Sequence, residues 1–310
     1  MNPKENFLEA IRFGQPEYVP LTREPIWHSF QFDGNFWCES WRDSWGIEWK
    51  VGIEGTVPFP KGNPLTDLDR LADYQFPNPD DLVFTQEMKS ALSRVDRGEM
   101  LVCGNLTYLL FERAWAIMGM ENFLMALVTH PAEVRILCHA IASYASGVFD
   151  RYLELGVDAI GFSEDLGSQR ALMMSPKMFR DIFLPEYRYC FENVLNAGKI
   201  INFHSCGCVD AIAQDLASIG VTILNPVQAR ANDLPAIKSK TFGKLALQGA
   251  IDTALLVTGT PRQVRDEVVR VMEILKPGGG YICGPDQELP GMSQQNLSAL
   301  WETAVGVGRY

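Results

Sequence analysis

From about residue 100 onward the chain alternates between short apolar runs and longer stretches in which apolar positions recur every three or four residues. The runs are rich in Val, Ile, Leu and Phe and are too short for helices, so they predict strands. They cover Leu101 to Leu106, Asp158 to Ser163, Lys199 to His204, Val221 to Asn225, Leu245 to Gln248 and Tyr281 to Cys283, with an earlier one near Tyr18 to Thr22. The helical periods lie at about 131–155, 176–196, 209–218, 232–240, 261–275 and 293–306.

Local punctuation agrees with this division. Ser175-Pro176 and Thr260-Pro261 each set a hydroxyl cap before a proline at the first helical position, and Gln263 completes a capping box with Thr260. Gly156, Gly198 and Gly220 fall between a helical run and the next strand, where a left-handed stop residue belongs. A repeated order of helix, glycine and strand predicts parallel strands joined by crossovers. At 310 residues the chain suits one closed α/β barrel, a single domain spanning 1–310; an open parallel sheet is the alternative.

Residues 26–80 break the rhythm. They carry Trp27, Trp37, Trp41, Trp45 and Trp49 with Phe30, Phe32, Phe36 and Phe59 among glycines and prolines. Such a stretch reads as an elaborated loop region over the barrel mouth, or equally as a second small core.

Composition narrows the function classes. A formal net charge of −11 with no basic cluster argues against nucleic acid. The N-terminal Met1-Asn2-Pro3-Lys4-Glu5-Asn6 lacks a signal-peptide pattern, and no apolar run approaches a membrane span, so the cytoplasm is the expected location. Seven scattered cysteines, at 38, 103, 138, 190, 206, 208 and 283, do not form a disulfide framework; most are expected in the core.

Some of these cysteines sit where chemistry would need them. Side chains two apart on a strand share a face, so His204 and Cys206 lie together as their strand runs out before Gly207. Cys283 ends another strand, before Gly284-Pro285, and Glu164 ends a third, with Asp165 its neighbour on the opposite face. In a barrel these C-terminal ends converge on one mouth. Two thiolates and an imidazole suit zinc, with a fourth position open or filled by a carboxylate. Taken singly, a cysteine at a strand end is more often a small buried hydrophobe, and Cys208 competes with Cys283 as the second thiol. Glu164, Asp165, Gln169, Asn225, Gln248 and Asp286 are polar candidates near the mouth, while Arg113 and Arg170 are suited to salt bridges or to a substrate anion.

These residues resemble a known family. His204-Ser205-Cys206-Gly207, Ile219 to Pro226, Gly249-Ala250-Ile251-Asp252-Thr253 and Pro277 to Tyr281 are similar to the uroporphyrinogen decarboxylase superfamily. Pro3 to Phe7, Pro16 to Pro20 and Asp43-Ser44-Trp45-Gly46 extend the likeness over nearly the whole chain. The resemblance implies a (β/α)8 TIM-type barrel. Its H-x-C…C pattern looks like the zinc-dependent, corrinoid-linked methyltransferases, among them the methylcobalamin:coenzyme M type and the methyltransferase components of aryl ether O-demethylases. By that likeness His204, Cys206 and Cys283 match the metal ligands, with Glu164 a possible fourth.

The decarboxylase branch remains the runner-up. Asp43 roughly matches its catalytic aspartate, but its arginine-rich N-terminal pattern is absent and only Arg23 stands in the corresponding region. A barrel that binds a ligand without catalysis is a third reading. The methyltransferase reading implies a zinc ion, a corrinoid (cobalamin) carried by a separate partner protein, and a small methyl donor or thiol acceptor. Asp43 and Asp165 are then the catalytic candidates, and Trp27, Arg23, Asn225 and Gln248 the substrate-binding ones. The tryptophan-rich insertion favours a flat aryl donor over a small sulfonated thiol.

Overall fold

The computed structural model describes residues 1–32, 40–52, 58–289 and 291–310. Phe36, Trp37 and Cys38 lie outside the described residues. Strands β1 (Trp27–Gln31), β2 (Trp41–Arg42), β3 (Glu48–Lys50), β4 (Phe59–Gly62), β5 (Leu101–Leu106), β6 (Ala159–Ser163), β7 (Ile200–His204), β8 (Ile223–Val227), β9 (Ala246–Ile251) and β10 (Tyr281–Pro285) form two sheets. One is parallel and seven-stranded, in the order β1-β5-β6-β7-β8-β9-β10; the other is the antiparallel β2-β3-β4.

The parallel sheet curls into a TIM-type barrel, and the chain just before β1 joins its two edges. Leu21 bridges Cys283 of β10 in parallel, Thr22 N donates to Cys283 O at 3.0 Å, and Cys283 N donates to Pro20 O at 2.8 Å. The expected first strand at Tyr18 to Thr22 is therefore this bridge, while the regular ladder begins at Trp27. Pro20 and Pro25 flank the interval and lack the N–H groups a continuous ladder needs.

Helices Pro131–Glu154, Pro261–Leu275 and Gln294–Val307 lie where the periodicity places them, and the Thr260 capping box with Gln263 is formed. Ser175 caps the helix that follows it, and Gly156, Gly198 and Gly220 adopt φ of +70°, +65° and +83°. Two further helices, Phe111–Met118 and Met120–Thr129, carry no legible signal. All eight residues of the first are buried, so no polar face marks its period. Pro3–Ile11 closes the N-terminal end of the barrel, packing Phe7 and Ile11 against Ile26, Leu101, Ile223, Ala246 and Ile282.

Register decides which side chains face the lumen. Across the ladders Ser29 pairs with Cys103, Cys103 with Ala159, Asn105 with Gly161, Gly161 with Asn202, Asn202 with Ile223, and Gln248 with Ile282. These positions form the inward set. The alternate set, including Val102, Ile160, Phe162, Ile201, Phe203, Leu224, Leu247, Tyr281 and Cys283, joins the main core. Region 26–80 is not loop throughout, since it includes barrel strand β1; of its later described residues, Trp45, Ile47 and Trp49 are buried in that core, and Trp49 also stacks on Tyr108 at 5.2 Å beside the mouth.

Glu164 ties the sheet to the buried helix. Phe111–Met118 has no cap of its own, and the Glu164 carboxylate accepts from the backbone N–H groups of Leu110 (2.9 Å), Phe111 (2.5 Å) and Glu112 (3.1 Å), and from the Tyr187 hydroxyl. Burial pushes its carboxyl up to about 7, while these four donors pull the other way. Glu164→Gln replaces one acceptor oxygen with an N–H₂ among three backbone N–H groups that can only donate, so at pH 8 it is expected to cost about 1–3 kcal/mol. Because the folded-state pKa lies above the ordinary 4.5, only the native wild type takes up this proton as pH falls from about 7 toward 4.5, and the deficit widens over that window. Denaturant titrations of both proteins at several pH values check the size and the trend.

Candidate metal centre

His204 is the last residue of β7 and stands in register with Ser163 of β6 and Asn225 of β8. Cys206, two residues on, returns to the same face and brings Sγ to 3.6 Å from His204 Nε2. From the end of β6, Asp165 places Oδ1 at 3.6 Å from the same Nε2 and accepts the Cys206 N–H at 2.8 Å. The three ligand atoms lie within 4.8 Å of one another.

Neighbouring residues fix this arrangement. The Asn202 carboxamide oxygen accepts from Asn225 Nδ2, which turns the Asn225 oxygen toward His204 Nδ1 at 3.1 Å. With Nδ1 donating to Asn225, the imidazole presents the Nε2 lone pair to the cluster. The loops after β6 and β7 interlock: Cys208 N donates to Ser168 O at 2.8 Å, and a Cβ on Gly207 would come within 2.2 Å of Gly167 O. Gly207 also has φ +83°, so both space and backbone call for glycine.

One nitrogen, one sulfur and one carboxylate oxygen make a donor set that fits zinc and leaves a fourth tetrahedral position free for substrate. The electrostatics fit as well. Burial, then the Asp165 and Glu112 carboxylates, push the Cys206 thiol well up, so its thiolate requires a cation nearby.

Other expected ligands go elsewhere. Cys283 occupies an outward position, since its neighbour Ile282 faces the lumen opposite Gln248; it is fully buried among hydrophobic residues, which pushes its thiol up to about 12. Glu164 faces outward by the same alternation and is consumed as the helix cap, so the carboxylate that reaches the cluster is Asp165. Cys208 directs its sulfur at Asp210 rather than at His204.

Several expected catalytic and substrate-binding residues are also relocated. Asp43 does not line the mouth: it accepts from Trp45 N, Ile47 N, Trp49 Nε1 and Arg113 Nη1, which binds the antiparallel sheet to the barrel. Arg113 is spent on that buried pair and on Thr107 O. Arg23 lies over the Trp301 ring at 5.2 Å, away from the cluster. Trp27 and Gln248 line a lower cavity inside the barrel, and Asn225 acts through His204. Gln169 donates to Gln228, and Asp286 accepts from Thr253.

A cleft of about 370 Å³ opens over the cluster. Asp165, His204 and Cys206 form one side, Trp49, Pro58 and Tyr108 give an apolar wall, and Gln31, Thr107, Glu112, Ser163 and Gln287 complete the lining. Sequence reasoning missed Glu112, Tyr108 and Gln287. Glu112 is only 5% exposed, accepts from Ser163 Oγ, and has its carboxyl raised well above the ordinary range by burial, then by Asp165 and Glu164. Asp165, expected as a catalytic residue, stands with the cluster, and strand alternation counted from Gly161 would have added Ser163; Glu112 sits on the all-buried helix and left no pattern to follow.

The sequence profile of the family described as Uroporphyrinogen decarboxylase (URO-D) matches residues 46–306. None of the curated proteins matches the chain. Among solved structures, a methyltransferase from Methanosarcina mazei is similar with a TM-score of 0.73 at 13% identity, covering 99% of this chain and 99% of its own. A B12-independent methionine synthase from Shewanella sp. W3-18-1 gives a TM-score of 0.48 at 15% identity, over 73% of this chain and 66% of its own. The first likeness is one of fold; the second carries no argument.

If the cluster holds zinc, Cys206→Ser and Asp165→Asn are expected to lower metal affinity at least tenfold, and Cys283→Ser to leave it unchanged. Metal analysis after dialysis against a graded chelator distinguishes the three variants, and loss of zinc in Cys283→Ser alone would reverse the ligand assignment.

Proposed function

The chain belongs to the uroporphyrinogen decarboxylase (URO-D) family, and from that premise we propose that it is a methyltransferase, exchanging a methyl group between a small substrate and a corrinoid on a separate protein. In this reading residues 1–310 form one barrel domain acting in the cytoplasm. The observation that carries it is the Asp165, His204 and Cys206 cluster at the floor of an aromatic cleft on the C-terminal side of the barrel. These three residues would hold zinc, which supplies Lewis acidity toward the heteroatom that loses or receives the methyl group.

The chain's own groups prepare the exchange. Asn225 holds His204 in the tautomer that exposes Nε2, and Trp49 and Tyr108 exclude water along one wall. Glu112 faces the same space, with Ser163 donating to one of its carboxyl oxygens. An ether oxygen that loses its methyl group would need one proton, and Glu112 is placed to give it; the corrinoid of the partner protein would supply the methyl acceptor.

Charge favours an uncharged donor. Among the described residues lining the cleft there is no Lys or Arg, while Glu112 and Asp165 are acidic. A sulfonated thiol or a porphyrinogen polycarboxylate would find no Lys or Arg to pair with among the described lining residues. An aryl methyl ether suits both the aromatic wall and the charge. The decarboxylase reading is weakened on the same ground, since Arg23 and Arg113 are engaged elsewhere.

Incubating the purified protein with a cob(I)alamin-bearing partner and an aryl methyl ether should convert the cobalt absorption to that of methylcobalt. His204→Ala should lose zinc and at least about 100-fold in rate, and Glu112→Gln should lose a comparable factor in kcat with zinc retained. Full zinc and full rate in His204→Ala would sink the proposal. A chain that neither binds zinc nor alters cobalt would point to the non-catalytic barrel.

A further inference from the structure

Closed barrels of this type normally fill the lumen with layers of bulky branched side chains. In the middle of this one, the inward positions are instead small or amidic: Ser29 on β1, Cys103 and Asn105 on β5, Gly161 on β6, Asn202 on β7 and Gln248 on β9. A chamber of about 180 Å³ results. Gly161 makes part of that room, since a Cβ there would come within 2.5 Å of Asn105 Oδ1. Among the described residues the chamber shares no lining side chain with the cleft over Asp165, His204 and Cys206, so it is a separate space.

Its two ends differ in chemistry. At the N-terminal end stands Trp27, the first residue of β1, with Phe7 packed edge-to-face on it at 5.4 Å and Leu21, Ile26 and Ile282 nearby. Glu24 lines the same end and is the one carboxylate of a described lining that holds no Lys, Arg or His. It accepts from Leu21 N at 3.0 Å and from the Tyr18 hydroxyl at 3.5 Å. It has no ion-pair partner among the described residues, because Arg23 beside it lies over the Trp301 ring. Burial pushes the Glu24 carboxyl up, and the two donors and Arg23 offset this only in part. At the other end the Ser29 hydroxyl and the Gln248 carboxamide make no hydrogen bond among the described residues, and Asn202 uses only its oxygen, on Asn225. Ser29 is exposed and Glu24, Trp27 and Gln248 are half-buried, so these groups remain open to a small molecule.

We propose that the chamber binds a small alkylated ammonium ion, its head between the Trp27 ring and Glu24 and a short hydroxyl-bearing tail turned to Ser29, Asn202 and Gln248. A carboxylate drawn out of water without a counter-ion is costly, and a cation beside it recovers that cost. The indole face adds its own attraction for a cation. Both Glu24 oxygens already accept hydrogen bonds, so the residue offers charge more than free acceptor positions. That balance, with the apolar side chains around Trp27, suits a nitrogen clothed in alkyl groups better than a bare ammonium. An anion would find no partner here, and a neutral guest would leave Glu24 uncompensated. The size agrees: a cavity of about 150 Å³ takes up benzene, so this one admits a head of comparable bulk with a two-carbon tail. Nothing in the proposal depends on the methyl-transfer reading, since the chamber and the cleft are lined by different residues.

Calorimetric titration of the full-length protein at pH 8 with three probes of similar shape tests it: choline, its uncharged carbon isostere 3,3-dimethylbutan-1-ol, and the anion 3,3-dimethylbutanoate. Choline is expected to bind at least about tenfold tighter than the alcohol, with the anion weakest. Glu24→Gln and Trp27→Leu should each remove most of that preference, and unchanged melting temperatures certify folding. Asp165→Asn, a change in the cleft, should leave choline affinity as it was. Absent choline binding, equal affinity for choline and the alcohol, or tighter binding of the anion would overturn the site in the wild type alone. A preference that survives in both chamber variants, or one lost in Asp165→Asn and kept in Glu24→Gln, would overturn it as well, the latter by moving the cation to the cleft.

Discussion

The two-residue alternation of side chains along parallel strands, locked by the ladder register, governs everything else in this molecule. Once Ser163 is set beside His204 and His204 beside Asn225, every neighbour's direction follows around the ring. Large apolar residues at the outward positions bind the helices, and small or polar ones at the inward positions leave the lumen open. Slipping one strand by a single residue would exchange these faces and expose a core row to solvent, which is why the register is strongly specified.

Three acidic residues near one strand end show how sharply this rule separates roles. Glu164 faces outward and meets three backbone donors and a phenol, so it caps a helix. Asp165, one residue later, faces inward and meets an imidazole and a thiol. Glu112 comes from the capped helix itself, its backbone N–H held by Glu164 and its carboxyl by Ser163. The structural carboxylate thus positions the helix that delivers another carboxyl to the cleft, and a buried carboxylate of this kind is expensive unless fully hydrogen-bonded.

The antiparallel sheet adds a wall rather than a separate chemistry. Asp43 gathers two backbone N–H groups, the Trp49 indole and the Arg113 guanidinium, so the tryptophan that faces the cleft is fastened to a barrel helix by a buried ion pair. Arg113 also lies over the Trp45 and Tyr108 rings, which holds this charge among aromatic faces. Arg113 is thereby withdrawn as an anion site, Arg23 lies over the Trp301 ring, and the described lining of the cleft keeps an acidic, aromatic character.

Periodicity and punctuation by themselves determined the parallel α/β architecture, most strands and longer helices, and the pairing of His204 with Cys206, because these depend on neighbours within one element. The family likeness seen in the motifs around His204, Gly249 and Pro277 pointed to the same fold. Tertiary structure alone decided that Asp165 and not Glu164 reaches the cluster, and that Cys283 turns away from it. The apolar run Tyr281-Ile282-Cys283 has no polar alternation to reveal its phase; only the pairing of Ile282 with Gln248 sets it. Glu112 and the open lumen were equally hidden. One stands on a helix buried on all sides, and the other is a space defined by several strands at once, and neither is a property of any single stretch of chain.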